Sequence, residues 1–353
     1  NPQQYVRLLS FPSPDTGYAV LDDSGTAVTT FHKSTNAGSS WQQLTLPAVF
    51  STADFIDMHF PSNDVGYIAM RAFTPNLEAL IYQTTDGGDN WQDVSPSGLQ
   101  LGNGYMGVHF KDNDTGYAFS GNALYTTTNG GTGWSSNTFG HMGGPIEADF
   151  NRAGHGILGA WDGTFGYKGF IYTTTNGGSS WDTLKLLSLQ SAVKDVEITH
   201  DNVFYGLTYK SFADGPTLLR SDNGGSSWDS VSMSFLSDSV DIASDFLFVD
   251  GATGYLSTYN GYIYVTEDSG NTWQIDHFEQ PPLNLLAFNS QSLFSGGPLH
   301  TLLKKVLFTH VTMYDSEASF HIFPNPAQDM INVVLPQAMS GQLQVLDAMG
   351  REV

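Results

Sequence analysis

The chain has no cysteine in its 353 residues. That excludes disulfides, thiolate metal centres and cysteine nucleophiles, and leaves the redox compartment open. Cations are scarce: 13 Lys and Arg stand against 35 Asp and Glu, for a net charge of −22. Such a surface repels phosphate, and no basic run with interleaved aromatics occurs, so nucleic acid is excluded as a partner. No apolar stretch reaches the ~20 residues of a membrane-spanning helix. The start, Asn1-Pro-Gln-Gln, lacks Met, a basic segment and an apolar core, as expected once a signal peptide has been removed. What is abundant is glycine, 38 residues, and aromatic side chains, 13% of the chain. Of the acids 28 are Asp, a turn residue, which together with the glycines predicts many short strands joined by tight turns.

Six of the seven tryptophans close one frame, [Ser/Thr]-x-[Asp/Asn]-x-Gly-x-x-Trp, and are spaced 43 to 50 residues apart. Its fixed members are Asn36, Gly38 and Trp41; Asp86, Gly88 and Trp91; Asn129, Gly131 and Trp134; Asn176, Gly178 and Trp181; Asn223, Gly225 and Trp228; and Asp268, Gly270 and Trp273. The period suits a four-stranded propeller blade. The frame suits a tight turn between a blade's two outer strands: an Asx side chain accepts turn amides, Gly tolerates positive φ, and Trp opens the next strand and packs beneath the hairpin. A Phe…Gly-Tyr pattern runs in step, as Phe11…Gly17-Tyr18, Phe60…Gly66-Tyr67, Phe110…Gly116-Tyr117, Phe150…Gly156 and Phe248…Gly254-Tyr255, with degenerate copies near Ile198 and Phe288. Seven copies against six frames predict an all-β, seven-bladed propeller of four-stranded blades over residues 1–312. The last blade, about 283–312, lacks the frame.

These frames resemble the Asp-box, or BNR/sialidase-type, repeat. With the Phe…Gly-Tyr strands they resemble the propellers of photosystem II stability and assembly factor-like secreted proteins. Six repeats in register argue for the fold and carry almost no information on activity. After a linker at 313–321, Phe323-Pro-Asn-Pro-Ala and Asp347-Ala-Met-Gly-Arg351 resemble the C-terminal sorting domain of type IX secretion substrates in Bacteroidota. Residues 322–353 are therefore expected to form a truncated, partial β-sandwich-like sorting domain. The resemblance implies the type IX secretion machinery as a partner, a secreted or outer-surface location, and about forty further residues in a complete tail, so the chain is expected to be a fragment.

No catalytic constellation emerges. Sialidases clamp a carboxylate with three arginines, and Arg7, Arg71, Arg152, Arg220 and Arg351 show no matching pattern. Asp112-Asn-Asp114 resembles part of a calcium loop but lacks the closing Glu, and the ten His show no zinc spacing. No nucleophile elbow or phosphate-cradling loop occurs, so no metal or cofactor is expected. Exo-xyloglucanases carry the box on two propellers, and this chain has room for one. The expectation is a non-enzymatic binding or scaffold propeller for glycan or protein, with a glycoside hydrolase using funnel carboxylates as the alternative. The expected ligand face lies opposite the boxes. It is centred on Trp161, the tryptophan outside the frames, with Asp162, Tyr167, His141, Glu147 and Asp149 around it and Arg71 and Tyr209 on neighbouring extended loops. His141, Glu147 and Asp149 are expected on the connection between blades.

Overall fold

The structure is a computed structural model that describes residues 4–23, 28–73, 77–101, 106–139, 144–161, 169–185, 191–210, 216–236, 243–278, 285–288, 292–296, 302–306, 321–323 and 332–334. Among these residues the chain is all β apart from two single-turn 3-10 segments, Ala48–Thr52 and Ser234–Leu236. Six four-stranded antiparallel sheets follow one another. In blade 1 the strands are Gln4–Ser10, Gly17–Asp23, Val28–Ser34 and Gln42–Leu44, paired in sequence order. Blades 2 to 6 repeat this plan, with innermost strands Ala53–His59, Met106–Phe110, Gly144–Phe150, Ser191–Ile198 and Ala243–Phe248.

The expectation of seven four-stranded blades is corrected to six. The stretch expected to form another makes a three-stranded sheet, Leu285–Phe288, Ser292–Gly296 and Leu302–Val306, packed between the innermost strands of blades 6 and 1. The reason is local. In every complete blade the repeated turn is the hairpin connection that delivers the fourth strand, and residues 283–312 lack that turn. The tail contributes one short hairpin, His321–Phe323 with Asn332–Val334; the rest of the expected sorting domain lies outside the described residues.

The Phe…Gly-Tyr pattern is the inter-blade joint. A Cβ on Gly17, Gly66, Gly116 or Gly156 would lie 2.1–2.3 Å from the Phe of the same blade, so each Phe ring occupies the space that its glycine vacates. The ring then stacks on the Tyr of the preceding blade: Tyr18–Phe60 at 3.6 Å, Tyr67–Phe110 at 3.4 Å, Tyr117–Phe150 at 3.5 Å and Tyr205–Phe248 at 3.6 Å between centroids. The Trp of the same blade meets the Phe edge-on, as in Phe11–Trp41 and Phe150–Trp181. The edge contacts are a favoured geometry of aromatic quadrupoles, whereas the nearly face-to-face stacks contribute through the apolar area that both rings bury. Blade 5 departs from the pattern consistently. Ile198 replaces Phe and meets Ile157 of blade 4 in one apolar cluster, while Phe204 fills the glycine position. The three-stranded sheet uses the same joint, Phe294 stacking on Phe11 at 3.9 Å.

The six repeated turns share one hydrogen-bond scheme, apart from the indole N–H of Trp134. In the turn of blade 4, Thr174 Oγ1 donates to Asn176 Oδ1 (2.9 Å), the Gly178 amide donates to Thr174 Oγ1 (3.0 Å), the Ser180 amide donates to Asn176 Oδ1 (3.0 Å), and Trp181 Nε1 donates to the Gly178 carbonyl (3.1 Å). Asp86 and Asp268 accept the same amides as the asparagines do. A neutral acceptor is therefore sufficient for the turn.

Candidate functional site

Within a blade the second and third strands set the two ends of the ring. In blade 4, Gly156–Trp161 pairs with both Gly144–Phe150 and Gly169–Thr174, and Thr174 leads into the repeated turn. Trp161, Gly144 and Gly169 therefore lie at the end opposite the turns. Among the described residues eight large hydrophobic side chains are exposed, and seven of them, Tyr5, Val28, Phe73, Leu77, Phe235, Tyr259 and Phe278, sit at strand ends or connections of this same end. Ile275, on an outermost strand, is the exception. Two cations lie beside this apolar set: Arg71 is 5.3 Å from the Phe73 ring and Lys194 is 5.4 Å from the Tyr259 ring.

The expected site residues are only partly assembled there. Trp161 is half-buried at its strand end. By register it lies on the same sheet face as Glu147, which pairs opposite Gly159, and that face looks toward Val193 of blade 5. Glu147 and Asp149 belong to the innermost strand, not to the connection before it, because pairing with Gly159 and Ile157 carries the strand back to Gly144. Arg71 lies two blades away and is ion-paired to Asp54 at 2.6 Å, and Arg7 is paired to Asp22 at 2.8 Å. Tyr209 lies in a strand of blade 5 opposite Ala192. His141, Asp162 and Tyr167 lie outside the described residues.

The carboxylates at the centre of the ring were not foreseen as a group. Five innermost strands carry a one-residue bulge, and the next residue is acidic in four of them: Asp57, Glu147, Asp195 and Asp245. Two residues further on in blades 1, 2, 4 and 5 stand Ser10, His59, Asp149 and Glu197, and the unbulged innermost strand of blade 3 carries His109 at the matching place. Many of these side chains clasp the following blade. Ser10 Oγ accepts the Phe60 amide (3.3 Å), Asp57 Oδ2 the Val108 amide (2.8 Å), Asp149 Oδ2 the Ile198 amide (2.7 Å) and Glu197 Oε2 the Phe248 amide (2.6 Å). His109 Nε2 bonds the Phe150 carbonyl at 2.9 Å, and Lys194 Nζ donates to the Ala243 carbonyl.

Electrostatically the centre is loaded. Burial, and then Asp57, Asp195 and Asp245 across the ring, push the Glu147 carboxyl well above its ordinary range. Burial and a hydrogen-bonded Asp245 do the same to Asp195. Burial and then Asp149 raise Glu197. Burial pulls Lys194 down to about 8, and it pulls His59 and His109 down to about 3 and about 4, so both imidazoles are neutral at physiological pH. No grouping of three or more His, Asp or Glu suited to a metal ion occurs among the described residues.

Residues 321–353 match the family described as secretion system C-terminal sorting domain. This is a secreted or cell-surface protein. The tail assigns it to type IX secretion sorting, and among the described residues no helix is long and apolar enough to cross a membrane. No curated protein matches the chain. Among solved structures the propeller is similar to YCF48 bound to D1 peptide (TM-score 0.64, 19% identity, 86% of this chain and 94% of that chain). It is also similar to YCF48 from Cyanidioschyzon merolae (0.60, 18%, 86% and 96%). The GH74 xyloglucanase from Xanthomonas campestris is similar at TM-score 0.61 and 14% identity, over 83% of this chain and half of that one. These likenesses establish the propeller architecture alone.

Proposed function

We propose that this protein is a non-catalytic binding or scaffold propeller, secreted or displayed at the cell surface, that takes a protein or glycan ligand on the end opposite its six repeated turns. The observation that carries the reading is the collection of seven of the eight exposed large hydrophobic side chains at that one end. Monomeric soluble surfaces scatter such residues, and a gathering of them marks an interaction face. The central carboxylates support the reading from the other side. Asp57, Asp149 and Glu197 are each engaged by an amide of the next blade, which is work for the fold and not for a substrate. A structural relative whose propeller is bound to a peptide fits the protein option.

Replacing Phe73 and Tyr259 together by Ser tests this. The variant is expected to melt as the parent does and to lose retention of cell-surface proteins. Unchanged retention by a folded variant contradicts the proposal.

One observation favours a second reading, a glycoside hydrolase. Asp195 is hydrogen-bonded to Asp245 and both act on Glu147, so carboxyls whose proton affinity is raised by burial and by one another meet in one centre. Release of reducing ends from a soluble β-glucan, abolished in Asp195→Asn and in Asp245→Asn, would establish it.

A further inference from the structure

Trp134 departs from its counterparts. Trp41, Trp91, Trp181, Trp228 and Trp273 each donate Nε1–H to the carbonyl of the glycine three residues earlier, at 2.9–3.1 Å. Trp134 instead donates to the Val94 carbonyl of blade 2, at 2.8 Å. Its indole is drawn toward the preceding blade, and a hollow of about 440 Å³ lies beside it between the outer edges of blades 2 and 3. That volume falls within the roughly 300–1,000 Å³ of ordinary small-molecule sites. The half-buried Trp134 and the buried Tyr125 supply aromatic surface, and the exposed Gln92, Asp93, Ser97 and Ser136 supply the rim. Gly131 and Gly133 bring no side chain over it. Asp93 is already fixed: its Oδ1 accepts both the amide (2.9 Å) and the hydroxyl (2.6 Å) of Ser95, bonds that leave Oδ2 as an oriented acceptor.

We infer that this hollow is a saccharide site for a neutral pyranose ring, separate from the face opposite the turns. An indole offers a flat apolar surface to the C–H face of a sugar. A held carboxylate, an amide and hydroxyls on one rim match the alternating hydroxyls at the ring's edge. Asp93 and the net charge of −22 disfavour anionic ligands, and the polar rim disfavours purely apolar ones.

The test uses the ¹⁵N-labelled protein titrated with cellobiose, methyl β-glucopyranoside, methyl β-galactopyranoside and methyl α-mannopyranoside. The indole N–H of Trp134 is assigned by its loss in Trp134→Phe, or from its contacts to Val94 if that variant does not fold. At least one sugar is expected to shift the Trp134 signal saturably while the other six tryptophans stay still. Gln92→Ala with Ser136→Ala, both exposed and outside the core, is expected to weaken binding about tenfold. The Phe73→Ser, Tyr259→Ser variant is expected to bind the sugar as the parent does, which separates this site from the proposed ligand face. No saturable shift with any of the four sugars, equal shifts at several tryptophans, or undiminished binding by the Gln92, Ser136 variant would each overturn the inference.

Discussion

Glu147 shows what a single side chain does at the centre of a ring of strands. Its carboxyl is buried and faces Asp57, Asp195 and Asp245, so its folded pKa is raised. A raised pKa contributes stability that is fully present below the unfolded value and is lost as pH rises through the folded one. Glu147→Gln, which mimics the protonated acid, is therefore expected to leave the melting temperature unchanged at pH 4.5 and to raise it at pH 9, read by thermal melts at both. His59 and His109 have the opposite sign. Their folded values of about 3 and about 4 are depressed, so their contribution is present above the unfolded value near 6.5 and is lost as pH falls. That loss is common to parent and variant and cancels in the comparison. Backbone strain gives a second residue-scale prediction. In the repeated turns the residue before the conserved glycine is left-handed: Gly177 has φ 67°, but Ala37 holds φ 55° and Ser269 φ 62°. Ala37→Gly is expected to stabilise by about 0.5–1 kcal/mol, and Gly177→Ala, whose Cβ meets only the Tyr117 hydroxyl at 3.4 Å, to cost about 1 kcal/mol in chemical denaturation.

The turn is the element that makes a blade complete. Asn176 gathers the Thr174 hydroxyl and the Ser180 amide, and Trp181 closes the hairpin over the Phe150 ring. Trp181→Ala is expected to cost about 3 kcal/mol of stability while leaving ligand retention per folded molecule unchanged. Loss of retention at full stability would instead place function at the turn end. This element was also the most legible in the sequence. Its residues are consecutive and their roles local, so the frame shows in the letters at Trp41 as plainly as at Trp273. The same logic explains the miscount. The degenerate Phe…Gly copy near Phe288 marks strands of the stretch, and its missing frame already means a missing fourth strand, which a count of Phe…Gly copies takes for a seventh four-stranded blade. The central acids were hidden for a different reason. A bulge between Phe55 and Asp57, or between Val193 and Asp195, breaks the two-residue alternation. The grouping of Asp57, Glu147, Asp195 and Asp245 arises only when four blades meet.

Across the whole molecule the two ends of the ring are unlike. One end is six polar, internally hydrogen-bonded turns; the other gathers exposed Tyr5, Phe73, Phe235, Tyr259 and Phe278, with half-buried Trp161 among the neighbouring strand ends. Among the described residues, each of blades 1 to 5 is joined to the next by a ring stack, a buried acid or an imidazole. The sorting tail then places a strongly acidic propeller outside the cell or at its surface. The central claim, that the ligand meets the end opposite the turns, is tested most directly by photo-cross-linking on intact producing cells, with a photoreactive phenylalanine analogue placed either at Phe73 or at Ser179 in a repeated turn. The account predicts a discrete cross-linked product from position 73 and none from position 179; a product from position 179 with none from position 73 would contradict it.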